Sequence, residues 1–179
     1  MKLWAALSNA GAGWRMIATG EAGWQDRFAL TAPGLVTALI VFMLATFLGV
    51  AIASFTVGLP SLFGIAAAML ALALPLVSLI LVLHGTRMAL GSTGPVRNMM
   101  VPAVYALAVF VLVEGVLAMV AGPLVMLAWL GLAWLLYRLA RTASGWNVAI
   151  SGGFAVLTVV LLVAMRLGLY MLSSTGIPT

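Results

Sequence analysis

The chain predicts an all-α transmembrane fold: a five-helix bundle with a cytoplasmic N-terminus and a periplasmic C-terminus. Three observations carry this. Only 6% of the 179 residues are charged and 65% are hydrophobic, whereas a soluble domain carries about 25% charged residues. Five long windows are predominantly apolar, and a stretch such as 35–55 is so on every face. The basic residues between those windows fall on alternate loops, so they collect on one side of a membrane. A transmembrane barrel is excluded, because its strands alternate apolar and polar residues. A stretch such as 35–55 does not alternate.

Residues 1–32 form the only sizeable extramembrane segment. Ala12-Gly13-Trp14 recurs as Ala22-Gly23-Trp24. The glycines argue against one continuous helix, so a pair of short interfacial segments is expected. Trp4, Leu7, Trp14, Ile17, Trp24 and Phe28 are expected to face lipid. The alternative is a surface on which a partner docks. A signal peptide is a poorer reading, because the apolar run after Lys2 is shorter than the usual 7–15 residues.

Residues 33–179 are expected to form the transmembrane domain, with spans at 33–57, 60–84, 101–121, 123–139 and 148–172. Pro33, Pro60, Pro102 and Pro123 mark the starts of four; the first helical turn has no use for the N–H that proline lacks. The fourth span is short. Ala45, Gly49 and Ala53 make a ridge of small residues on the first span, and Gly64 and Ala68 do so on the second. Such ridges let helices approach closely in lipid, so spans one and two should form a tight hairpin. Pro75 lies within span two and should kink it, as a static bend rather than a hinge.

The charges then fix orientation. Lys2, Arg15 and Arg27 precede span one, Arg87 and Arg97 follow span two, and Arg138 and Arg141 follow span four. The two intervening loops and the C-terminal tail carry no charge. The basic side is therefore assigned to the cytoplasm. Trp14, Arg15, Trp24, Arg27, Arg87, Arg97, Arg138 and Arg141 are expected to contact lipid headgroups or the interface, with Trp134, Tyr137 and Trp146 near the same side. The net charge of +5 does not point to nucleic acid, since the basic residues form no contiguous patch.

Glu114 and Arg166 are the exceptions, one acid and one base inside apolar spans. At about 1.5 Å per residue, both lie roughly 10 Å below the outer surface. A charge near mid-membrane costs on the order of 2.5–3.5 kcal/mol on insertion scales, and pairing avoids leaving either alone. A Glu114–Arg166 contact joining spans three and five is expected. A structural ion pair is preferred over a proton relay, because the spans offer only scattered Ser and Thr as polar lining.

Other chemistry finds little support. The chain has no cysteine and one histidine, His84, so thiolate chemistry and a His-rich metal site are excluded. No metal and no cofactor is expected. Gly91-Ser92-Thr93-Gly94-Pro95 is turn-rich but lacks the lysine of a P-loop. No nucleophile elbow supports a hydrolase built from Asp26, His84 and Ser92. The dispersed methionines read as core filler.

The five-span layout and the stretch from Gly13 through Glu21 to Phe28-Ala29-Leu30 resemble the Yip1-like integral membrane proteins of bacteria. That resemblance implies a membrane organiser or complex partner and carries over no catalytic residue. The expected function is therefore a non-enzymatic scaffold or accessory subunit of a larger complex in the bacterial inner membrane. Its expected partners are lipids and other integral membrane subunits, not nucleic acid. The alternative is a small transporter or ion- or proton-conducting subunit using Glu114.

Overall fold

A computed structural model describes residues 3–58 and 61–175. Lys2, the start of span two at Pro60 and the tail beyond 175 lie outside the described residues. Six α-helices and no strand occur among the described residues: α1 (Leu3–Thr19), α2 (Ala32–Val57), α3 (Leu62–Ala89), α4 (Arg97–Val120), α5 (Val125–Ser144) and α6 (Val148–Thr175). Single 3-10 turns stand at Trp24–Arg27 and Gly122–Leu124. The last five helices are long and apolar enough to cross a membrane.

Local chemistry explains three of the six helix starts, those of α2, α3 and α6. Thr31 Oγ1 accepts from the Gly34 amide, with Pro33 in the first turn of α2. Ser61 Oγ accepts from the Gly64 amide, and Asn147 Oδ1 accepts from the Ile150 amide. Each side-chain oxygen satisfies one of the N–H groups that a helix start leaves free. Pro102 corrects an expectation. It lies inside α4, which begins at Arg97; an early-turn proline removes one hydrogen bond without preventing the turn before it. The fourth span is also longer than its hydropathy suggests, since α5 runs through Arg138 and Arg141 to Ser144. Those polar residues mark where apolar sequence ends, not where the helix ends.

The spanning helices pack in the ring order α2–α4–α5–α6–α3, and α3 closes back on α2 by a weaker contact. This overturns the tight hairpin of spans one and two. The main neighbour of α2 is α4, and that of α3 is α6. A methyl group at Gly49 would stand 3.3 Å from both Val111 Cγ1 on α4 and Leu72 Cδ1 on α3, so the bare Cα admits both neighbours alike and does not by itself select α4.

The N-terminal segment differs from expectation in part. Its two repeats do not share one helix: α1 ends at Thr19, and Gly20 and Gly23, both at positive φ, separate it from the 3-10 turn at Trp24–Arg27. The first repeat, however, lies inside the 17-residue α1, which runs through Gly11 and Gly13. A methyl at Gly13 would lie 2.4 Å from Phe28 Cε2, so this glycine is the seat of an aromatic ring and not a break. Ile17, Trp24 and Phe28, expected to face lipid, are buried in the core. Trp24 meets Phe28 edge-on, and Phe28 leans on Tyr105 of α4. Only Trp4 and Leu7 keep large exposed surfaces, 82% for Trp4. The helix lies against α2, α4 and α5 and buries its Ala6, Ala10, Gly13 and Ile17 face.

Packing is uneven along the bundle. Towards the N-terminal segment the core is dense: residues 99–108 of α4 are buried without interruption. Towards the other end it opens. None of the residues in 51–54, 64–74, 115–127 and 163–172 is buried. Within α3 the change falls at Pro75, which is buried together with Ser78, Leu79, Val82 and Leu83.

Candidate functional site

Glu114 is the last buried residue of α4 before the bundle opens, at 6% exposure. Its carboxylate takes hydrogen bonds from two other helices. Arg166 of α6 engages both oxygens, Nη2 donating to Oε2 at 2.8 Å and Nη1 donating to Oε1. Trp129 Nε1 of α5 donates to the same Oε1 at 2.8 Å. A bidentate guanidinium is the strongest partner a carboxylate can find, and the indole donor leaves Oε1 doubly satisfied. The group is net neutral and ties α4, α5 and α6 together.

Matched depths along their spans bring Glu114 and Arg166 together from sequence alone, but do not indicate Trp129. A signal for it was present. Glu114 precedes the turn at Gly122–Leu124 by about two helical turns and Trp129 follows it by about one and a half, so an antiparallel pair brings them within one turn of each other.

Beside this group is a cleft of about 810 Å³. Small residues of three helices are prominent in its walls: Gly49 and Ala53 of α2, Ala67 and Ala71 of α3, Gly115 and Ala118 of α4. Glu114, Trp129 and Arg166 line it, with Ser54 and Tyr170 nearer the C-terminal ends of α2 and α6. The volume lies within the range of about 300–1,000 Å³ that holds a small ligand. Arg166 is 23% exposed at its side chain.

The remaining expected interface residues divide. Arg15, Arg27 and Arg97 are exposed and remain available to headgroups. Trp24 is not, being 3% exposed. Trp14 is half-buried and donates from Nε1 to the Pro102 carbonyl at 3.0 Å. Arg138 turns inward, where Nη2 donates to the Ile17 carbonyl at 3.2 Å. Arg141 Nη1 donates to the Trp146 carbonyl at 2.8 Å, and Trp146 is itself buried edge-on to Phe154. Arg87 Nη2 donates to the Ser92 and Gly94 carbonyls. The cause is common to Arg87, Arg138 and Arg141: helix ends and turns leave carbonyls without partners, and a guanidinium within reach satisfies them. These arginines staple the chain to itself.

His84 is exposed and its Nδ1 lies 3.0 Å from the Ile80 carbonyl of its own helix. Among the described residues, no three His, Asp or Glu side chains gather in one place. Comparison with protein-family models, with curated proteins and with solved structures finds no match for this chain.

Proposed function

We propose that this is a non-enzymatic multi-pass protein of the bacterial inner membrane, a scaffold or accessory subunit that acts by packing against lipids and other integral membrane subunits. The observation that carries the reading is the closed state of the membrane-depth charges. Glu114 spends both oxygens on Arg166 and Trp129, so its bonds join helices rather than lead along a path. The Yip1-like resemblance belongs to the same proposal. So does the orientation, N-terminus cytoplasmic and C-terminus periplasmic, which rests on the alternation of basic loops.

Two measurements test it. Purification of the tagged protein in a gentle detergent, with identification of what co-purifies, should recover further membrane subunits; recovery only as a lone monomer counts against the accessory role. Since the chain has no cysteine, Ser92→Cys and Ser61→Cys can be labelled singly in intact cells. Ser61→Cys should react with an impermeant maleimide and Ser92→Cys should not; the reverse pattern overturns the orientation.

The transporter reading keeps one supporting observation, the presence of Glu114 on the wall of a cleft. It predicts that Glu114→Gln abolishes proton-coupled flux in vesicles, whereas the scaffold reading predicts no flux to abolish.

A further inference from the structure

We infer that α1 is an in-plane membrane helix. It lies across the flank of the bundle in the headgroup zone of the basic-side leaflet, with its Leu3–Leu7 edge among acyl chains and its Asn9–Ala12 edge towards water. The partner of its outer surface is phospholipid. This placement rests on the multi-pass reading proposed above and deepens its lipid-partner part.

The position of α1 follows from the face of α4 that it covers. Val109, Val113 and Val116 of α4 are exposed and form one stripe at helical spacing. In a spanning helix such a stripe meets lipid. One and two turns earlier the same stripe continues as Tyr105 and Pro102, and there it is covered. Phe28 leans on Tyr105, and Trp14 Nε1 donates to the Pro102 carbonyl. Hence α1 and the turn after it stand where lipid stands further along α4. That is a place beside the bundle, not beyond its end.

Two observations fix its direction. Three successive members of the ring, α2, α4 and α5, touch α1. A helix running with the spans nests in the groove between two neighbours, whereas three neighbours at about 8–10 Å spacing fit a crossing helix about 26 Å long. The cover on α4 is also short. Unbroken burial is confined to residues 99–108, about three turns, while a parallel 17-residue helix would shield about five.

The two edges of α1 differ. Ala6, Ala10, Gly13 and Ile17 face the bundle. At about 100° per residue, Leu3, Leu7 and Trp14 fall on one edge beside that face, and Asn9 and Ala12 on the other. Trp14 points the first edge towards mid-membrane, because the Pro102 carbonyl that it reaches is directed along α4 away from Arg97. Trp4 and Arg15 share the outward face between the edges, and both are exposed. Indole rings favour the headgroup level, and Glu114–Arg166 is the one ion pair among the described residues, which leaves Arg15 for a phosphate. The order leucine, tryptophan and arginine, then asparagine repeats the depth order of a leaflet. A protein partner imposes no such order.

Spin labels on the purified protein in vesicles of phosphatidylethanolamine and phosphatidylglycerol test this. The chain has no cysteine, so Leu3→Cys, Leu7→Cys, Asn9→Cys and Ala12→Cys can each carry a single nitroxide. All four positions are exposed, and circular dichroism checks that helicity is kept. The ratio of collisions with oxygen to collisions with a water-soluble nickel chelate should be at least about 5-fold higher at position 7 than at 9, and at 3 than at 12. Equal ratios within both pairs overturn the inference. So does shielding of the labels at 3 and 7 from both reagents, which marks a protein or a second copy over that edge. The vesicles contain this protein alone. Failure to co-purify other subunits would therefore sink the accessory role and leave the depth ratios as they are.

Discussion

Replacing Arg166 by leucine removes two of the three hydrogen bonds that Glu114 accepts and leaves a carboxylate at 6% exposure with one neutral donor. Breaking a buried ion pair from one side costs about 3–5 kcal/mol. Two features lower that figure. Neutralising an ordinary glutamate carboxyl at pH 7 takes about 3.7 kcal/mol, which sets a ceiling on the penalty. The side chain of Arg166 is 23% exposed, so part of its charge is already solvated. The expected loss is about 2–4 kcal/mol. It exceeds the average of about 0.6 kcal/mol for interhelical hydrogen bonds in membranes, because a charge is left behind. The double variant Glu114→Leu/Arg166→Leu removes both charges and should recover at least about 1 kcal/mol of the loss, a coupling typical of side chains in direct contact. Unfolding in mixed micelles by dodecyl sulfate titration, followed by far-ultraviolet circular dichroism, measures all three variants. A single-variant loss below about 0.5 kcal/mol, or strictly additive losses, would refute the claim that this pair holds α4 to α6.

Three further outcomes follow from named contacts. Trp129→Phe keeps the ring but loses the donor to Glu114, and should cost about 1.5–3 kcal/mol, the range for a hydrogen bond to a charged group, in the same titration. Gly13→Leu drives a side chain into Phe28; it should detach α1 and raise the rate of proteolysis within residues 3–27 several-fold, while the spanning helices keep their helicity. Trp14→Phe loses the bond to the Pro102 carbonyl and should raise amide hydrogen exchange along α1 by roughly 3- to 10-fold, the equivalent of about 0.5–1.5 kcal/mol.

The spanning helices were legible because lipid imposes a simple demand. Every backbone group must be satisfied within the segment, so long apolar windows mark helices whatever their neighbours. Glu114 and Arg166 were legible for a related reason: charge is rare at that depth, which left few partners to choose from. The packing order was not legible. The windows of α2 and α3 are apolar on every face, and no stripe marks which face meets which helix. Even the small residue Gly49 does not select a neighbour, since its bare Cα is approached equally by Val111 of α4 and Leu72 of α3. The N-terminal segment failed for a different reason. Trp24 and Phe28 suit a lipid interface and a protein core equally well by composition. The outcome turned on Gly13, whose bare Cα is the socket for the Phe28 ring.

The uneven packing gives these separate contacts a common logic. At one end, α1 is tied to the bundle by Trp14 to Pro102, Arg138 to Ile17 and the Trp24–Phe28–Tyr105 aromatic run. Arg87 and Arg141 close the adjoining turns. At the other end the helices carry small residues but do not close on them. Small residues in lipid ordinarily draw helices together. Here Glu114, Trp129 and Arg166 stand at the boundary between the two regions, and their three hydrogen bonds fix the separation of α4, α5 and α6 at that level. The ion pair thereby holds the cleft open. Removing it by the double leucine variant should recover at least about 1 kcal/mol of the loss seen in Arg166→Leu and let the helix ends on the cleft side approach one another. Cross-linking between cysteines placed singly on facing cleft walls should then rise above the level in the otherwise unchanged protein. Unchanged cross-linking in that variant would mean that the cleft owes its shape to the small-residue walls alone.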